Sequence, residues 1–195
     1  MAVVSGGTTL IDNGALDSGV PTGSLILLST QTASASASLE FSLDDTYDSY
    51  VFKFYDIHGS SASPFTVNFR DGGTNYDATK TTTFFASYHQ ENDAIANLVY
   101  DGGQDLVQST GTQRLNYNMG TGNDESLCGQ LFLYNPSSTT FVKHFIATTN
   151  LYDGIYSQEI FVAGYCNTTT AIDGVQFKLN SGNIDDGIIK MYGVK

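Results

Sequence analysis

Short runs of alternating apolar and polar residues, each ended by turn residues, constrain this chain more than any other feature. Leu39, Phe41 and Leu43 alternate cleanly. So do Phe65, Val67 and Phe69 against Thr66, Asn68 and Arg70, the signature of a half-buried strand. Residues 50–57 are apolar on both faces and predict a central strand covered on both sides. Further strands are predicted at 127–134, 141–148, 156–164, 175–179 and 188–192, separated by Asn, Asp, Gly, Pro and Ser. The last follows an Asp186-Gly187 turn signal, and its best early neighbour is the apolar run 25–28. No long helical period interrupts the series. Roughly ten strands without a helix predict an all-β, antiparallel two-sheet β-sandwich of jelly-roll type.

Composition agrees. Charged residues are only 14% of the 195, so Ser, Thr, Asn and Gln must supply the polar surface, which suits strands and turns. The net charge of -12, with eight Lys and Arg, leaves too little basic surface for nucleic acid or an anionic membrane. Cys128 and Cys166 have no metal-type spacing and sit in apolar runs, as buried thiols do.

Residues 1–23 differ from the rest. They lack aromatics and are dotted with Gly and Ser, which predicts an extended N-terminal docking arm ahead of a sandwich spanning 24–195. Val3, Val4, Leu10, Ile11 and Leu16 are its candidate docking anchors. Between the two regular halves, residues 89–97 allow a helical turn. Residues 101–124 read as a long polar loop able to project from the sandwich.

Catalytic chemistry is hard to find. His58, His89 and His144 stand apart from one another, and no nucleophile elbow or phosphate loop is present. The acidic pairs, including Asp185 and Asp186, sit among turn residues; the turn holding Asp44, Asp45 and Asp48 leaves adventitious calcium open. We therefore expect no catalytic residue, cofactor or dedicated metal site. Tyr76, Tyr100, Tyr117 and Tyr152, near turns, are the candidates for exposed-loop binding to a sugar or a partner.

The stretch 23–32, the run 47–52, Asn135-Pro136-Ser137-Ser138, Phe177-Lys178 and the ending 182–193 together resemble surface structural proteins of tailed bacteriophages, marine ones in particular. The similarity covers 23–195 and is structural rather than catalytic. It implies a non-enzymatic virion protein, assembled in the host cytoplasm and displayed as a capsid decoration or head fibre. Docking would run through the arm to other capsid or tail proteins, with repetition as a homo-oligomer, a trimer. A tail fibre or receptor-binding protein touching host-surface glycans is the alternative, and a carbohydrate-binding module the next. The short arm departs from large fibre proteins, which carry long shafts.

Overall fold

The computed structural model describes residues 3–5, 8–12, 15–16 and 25–194, and the regular elements among them are all strands. In chain order these are β1 (Val3–Ser5), β2 (Thr8–Asp12), β3 (Ala15–Leu16), β4 (Ile26–Thr32), β5 (Leu39–Ser42), β6 (Ser49–Gly59), β7 (Phe65–Arg70) and β8 (Lys80–Gln90). They continue with β9 (Ala96–Tyr100), β10 (Gln113–Arg114), β11 (Leu127–Tyr134), β12 (Lys143–Tyr152), β13 (Tyr156–Cys166), β14 (Gly174–Leu179) and β15 (Ile184–Val194).

Two antiparallel sheets pack face to face. The larger has eight strands in the order β4-β15-β6-β11-β12-β13-β8-β9, and the smaller has four, β10-β7-β14-β5. The predicted β-sandwich is thus the observed fold. The closing strand lies beside the early apolar run, with Tyr192 opposite Leu27 and Gly193 opposite Ile26.

Between the sheets lies a phenylalanine cluster. Phe177 of β14 meets Phe41, Phe52, Phe54 and Phe65 with ring centroids 5.1–6.1 Å apart. Alternation along β5, β6, β7 and β14 aims these rings at one layer. Each fully buried ring contributes about 1.5–3 kcal/mol of transfer free energy.

Several expectations need correction. Strand β6 is not covered on both sides, since Tyr55 on its outer face is exposed. The segment 101–124 does not project: Gln113, Leu115 and Asn116 are fully buried, and the segment lies over the inner face of β8. Thr66 and Asn68 are consequently buried too, bonded to the carbonyls of Lys178 and Thr110, so β7 is covered on both faces. Residues 89–97 form the β8–β9 hairpin, with Tyr88 opposite Asn97, and contain no helical turn. Asp185 and Asp186 belong to β15 itself, at a bulge opposite β6, and do not form a turn between strands. At that bulge Gly187 has φ +120°, and a Cβ there would meet Asp56 O at 2.9 Å and Ile57 Cα at 2.8 Å, so the two strands approach as closely as only glycine allows.

Composition also hid two buried cations. Lys80 and Lys143 are fully buried and stand beside Cys166 across β8, β13 and β12. Lys80 Nζ donates to the carbonyls of Ala78 (2.9 Å) and Gly111 (2.8 Å), and Lys143 Nζ to that of Thr168 (3.0 Å). Burial pulls the Lys80 ammonium down to about 8 and pushes the Cys166 thiol up to about 12. Cys128, expected to be buried, is exposed on β11, and both cysteines are free.

Strands β1, β2 and β3 add a small antiparallel sheet, in which Ile11 is the register partner of both Val3 and Leu16. Val4 is exposed. The side chains of the other candidate anchors, Val3, Leu10, Ile11 and Leu16, lie outside the described residues.

Candidate functional site

The sandwich has two unlike ends. At one, Ile26, Gly193 and Tyr50 pair across β4, β15 and β6, so the chain enters the domain beside its own last strand. At the other, one register row crosses six strands: Ile57, Leu127, Leu151, Gln158, Tyr88 and Asn97. Gln158 is the polar exception on the inner face of β13, where Ile160 and Val162 are buried apolar neighbours two and four residues on.

Beside Gln158 a pocket of about 420 Å³ opens, bounded by Tyr88, Asp101, Tyr117, Asp153, Tyr156 and Gln158. Hairpin geometry builds one wall. Asp153 begins the β12–β13 turn, and its Oδ1 accepts the backbone N–H groups of Ile155 (3.1 Å) and Tyr156 (2.8 Å). Its Oδ2 accepts Gln158 Nε2 at 2.5 Å. The turn thereby orients the amide and presents the Tyr156 ring, which stands perpendicular to Tyr88 at 5.9 Å. Asn97 Nδ2 donates to Tyr88 Oη at 3.2 Å.

The opposite wall comes from the covering segment. Tyr117 sets its ring against Phe84 at 5.3 Å and donates from Oη to Asp101 Oδ2 at 3.1 Å. Burial, reinforced by the Asp101 carboxylate, raises the Tyr117 phenol to about 12, so it stays a donor across the neutral range. Asp101 Oδ1 also takes the Gly103 N–H at 2.9 Å. Gln158 Oε1 is buried and has no hydrogen-bond partner among the described residues. An orphaned buried amide oxygen costs about 1–3 kcal/mol, which a donor group would recover.

A second concavity of the same volume, about 420 Å³, lies at the β6–β15 bulge, lined by Asp56, His58, Asp124, Glu125, Asp185 and Asp186. His58 Nε2 donates to Gly122 O at 3.2 Å, and its Nδ1 lies 3.8 Å from Asp185. Asp56 has φ +49° and accepts the Cys128 S–H at 3.4 Å. Despite the acids, no three metal-ligating side chains converge anywhere among the described residues. Asp44, in the other acidic turn, is bound to Tyr50 Oη at 2.7 Å and to Thr46 N at 3.0 Å.

Of the four tyrosines singled out in the sequence, only Tyr117 lines the pocket. Tyr76 is bonded to Glu40 (3.2 Å), with the Arg70 guanidinium 5.3 Å from its ring centroid. Tyr100 is exposed on edge strand β9 and donates to Asp105 at 2.5 Å. Tyr152 ends β12, its N–H held by Ser126 O at 3.1 Å. Tyr88, Tyr156, Asp101, Asp153 and Gln158 were missed. Gln158 was the detectable one, since a polar residue in phase with Ile160 and Val162 breaks the alternation at an inward position.

No protein-family model matches the chain, and no curated protein matches its sequence.

Proposed function

We propose that this chain is a non-enzymatic structural protein of a tailed-phage particle, a capsid decoration or head fibre mounted through its N-terminal arm. The observation that carries the reading is polarity. Ile26 lies beside Gly193 at one end of the sandwich, where an apolar concavity of about 410 Å³ at Thr82, Phe145 and Gly164 shares their register row, while the acidic concavity and the tyrosine pocket lie at the other end. A domain tethered at the first end presents the second to its surroundings.

The outer face of the large sheet supports self-association. Phe85 and Phe161 stack there at 4.8 Å, and Phe85, Ile146 and Tyr134 are exposed. Apolar surface of this kind favours burial against another copy, and a trimer would fit the virion reading. The absence of catalysis is part of the proposal. Asp153 and Asp101, the carboxylates of the tyrosine pocket, both serve as acceptors of internal hydrogen bonds.

Quantitative mass spectrometry of purified particles tests the placement. Hundreds of copies per particle fit decoration, and a count set by tail symmetry fits a tail fibre. Absence from the particle ends the proposal. The tail-fibre alternative, contact with host-surface glycans, is favoured by one feature: the tyrosine-lined pocket at the free end.

A further inference from the structure

The geometry points to a saccharide site in the tyrosine pocket: Tyr88, Tyr117, Tyr156, Asp101, Asp153 and Gln158 bind a neutral pyranose of a glycan. The idea rests on the outward-facing reading of this end. It is tested on the isolated chain, so its failure and that of the particle placement are told apart.

Size and shape come first. An open concavity of about 420 Å³ has room for a single pyranose ring. The Tyr88 and Tyr156 rings stand at 89° to each other, so one can offer its face where the other offers its edge. Aromatic faces take up the flat C–H surface of a pyranose, burying apolar area at little cost in conformational entropy.

Hydrogen-bonding capacity comes second. The pocket is rich in acceptors. Gln158 Oε1 has no partner among the described residues, and the amide cannot turn over to supply a donor there. Its Nε2 is held by Asp153 Oδ2, and a flip would set oxygen against carboxylate. The oxygens of Asp101 and Asp153 keep lone pairs beyond those already used. Gln158 Oε1 is enclosed, so the acceptors within a ligand's reach are the partly exposed Asp101 and Asp153, which hydroxyl donors would complete.

Charge decides among hydroxylated ligands. Asp101 and Asp153 lie in the pocket, and Asp56, Asp124, Glu125, Asp185 and Asp186 line the neighbouring groove at the same end. Sialylated, sulfated or phosphorylated sugars would be repelled. An ammonium ligand would be drawn by the acids. Asp153 and Asp101 keep that charge while accepting three and two hydrogen bonds from neutral donors, so n-butylammonium is the rival ligand to be tested.

Saturation-transfer NMR on the full chain, with glucose, galactose, mannose, N-acetylglucosamine and their trisaccharides as probes, tests the site. The expected result is transfer to at least one neutral sugar, with the Gln158 side-chain amide and the Tyr88, Tyr117 and Tyr156 ring signals shifting on titration. Tyr156→Ala should weaken binding about tenfold or more, as loss of a central aromatic contact does. Tyr76→Ala, at a site outside the pocket, should leave it unchanged. Should Tyr156→Ala fail to fold, the shift map on the wild-type chain decides alone. No transfer to any of these sugars overturns the assignment. So does a map centred away from Gln158, or n-butylammonium binding in their place.

Discussion

The inner face of the eight-stranded sheet is covered in two ways. Over β6 the cover is a second sheet, and the contact is phenylalanine on phenylalanine. Over β8 the cover is mostly irregular chain, with the two-residue strand β10 inside it, and the contact is largely polar: Thr82 Oγ1 donates to Gln113 Oε1 at 2.5 Å, the Leu106 N–H to Thr82 Oγ1 at 2.8 Å, and Lys80 to Gly111 O. Irregular backbone carries unpaired N–H and C=O groups, so anything it buries must satisfy them. That requirement puts Lys80, Gln113 and Asn116 into an interior where alternation alone would place Val or Leu. The pocket opens on this second side, where polar side chains already line the interior.

The contrast can be broken from either side. On the aromatic side, Phe177→Ala should cost about 3–5 kcal/mol in denaturant unfolding, since the ring touches four others. A loss under about 1 kcal/mol would mean that the cluster relaxes freely.

Next in size is a pH effect on the polar side. Burial lowers Lys80 to about 8, below its unfolded value, so between these values the unfolded chain holds more protons. Stability from this group therefore rises with pH. Below about 8 the cost of burying the ammonium is fully felt, and it is relieved as pH climbs toward the unfolded value. The raised Cys166 thiol and Tyr117 phenol act in the opposite sense at high pH, so the effect is isolated by difference. Relative to Lys80→Met, the wild type should gain about 2 kcal/mol between about pH 8 and 10. A flat difference would place Lys80 in contact with water.

Thr149→Val sharpens the comparison at smaller scale. Thr149 Oγ1 donates to Leu115 O, which ties β12 to the covering segment. The substitution should cost about 1–2 kcal/mol and speed amide exchange across 113–119 without affecting β6. Smallest is Tyr117→Phe, expected to cost about 0.5–1.5 kcal/mol through the lost bond to Asp101.

The same contrast explains what the sequence disclosed. Strands β5, β14 and β15 were legible because their alternation is forced by a neighbouring sheet, and β6 because its run is apolar. So was the pairing of the last strand with 25–28, two apolar runs that each need a partner strand. The covering segment was not legible. Its buried residues are Gln, Asn and Leu at irregular spacing, and polar residues in an irregular run look the same whether they cap a core or face water. Tyr117 was found there by residue type alone. Its pocket partners Tyr88, Tyr156 and Gln158 come from separate strands, and only register brings them together.

The placement of β4 has a mechanical consequence. Among the described strands this edge strand pairs only with β15, in a register running from Thr32–Ile188 to Ile26–Gly193, with Gln31 Nε2 adding a bond to Glu40 O at 2.6 Å, while β15 is held by β6 on its other side. A pull on the arm against a hold at the far end acts along these strands. Antiparallel ladder bonds lie perpendicular to the strands, so the pull loads them in shear, all together, where a peeling force would break them one at a time. Tension entering at Ile26 would be shared along the β4–β15 ladder and handed on to β6, so the domain is built to resist a pull applied through the residues before Ile26.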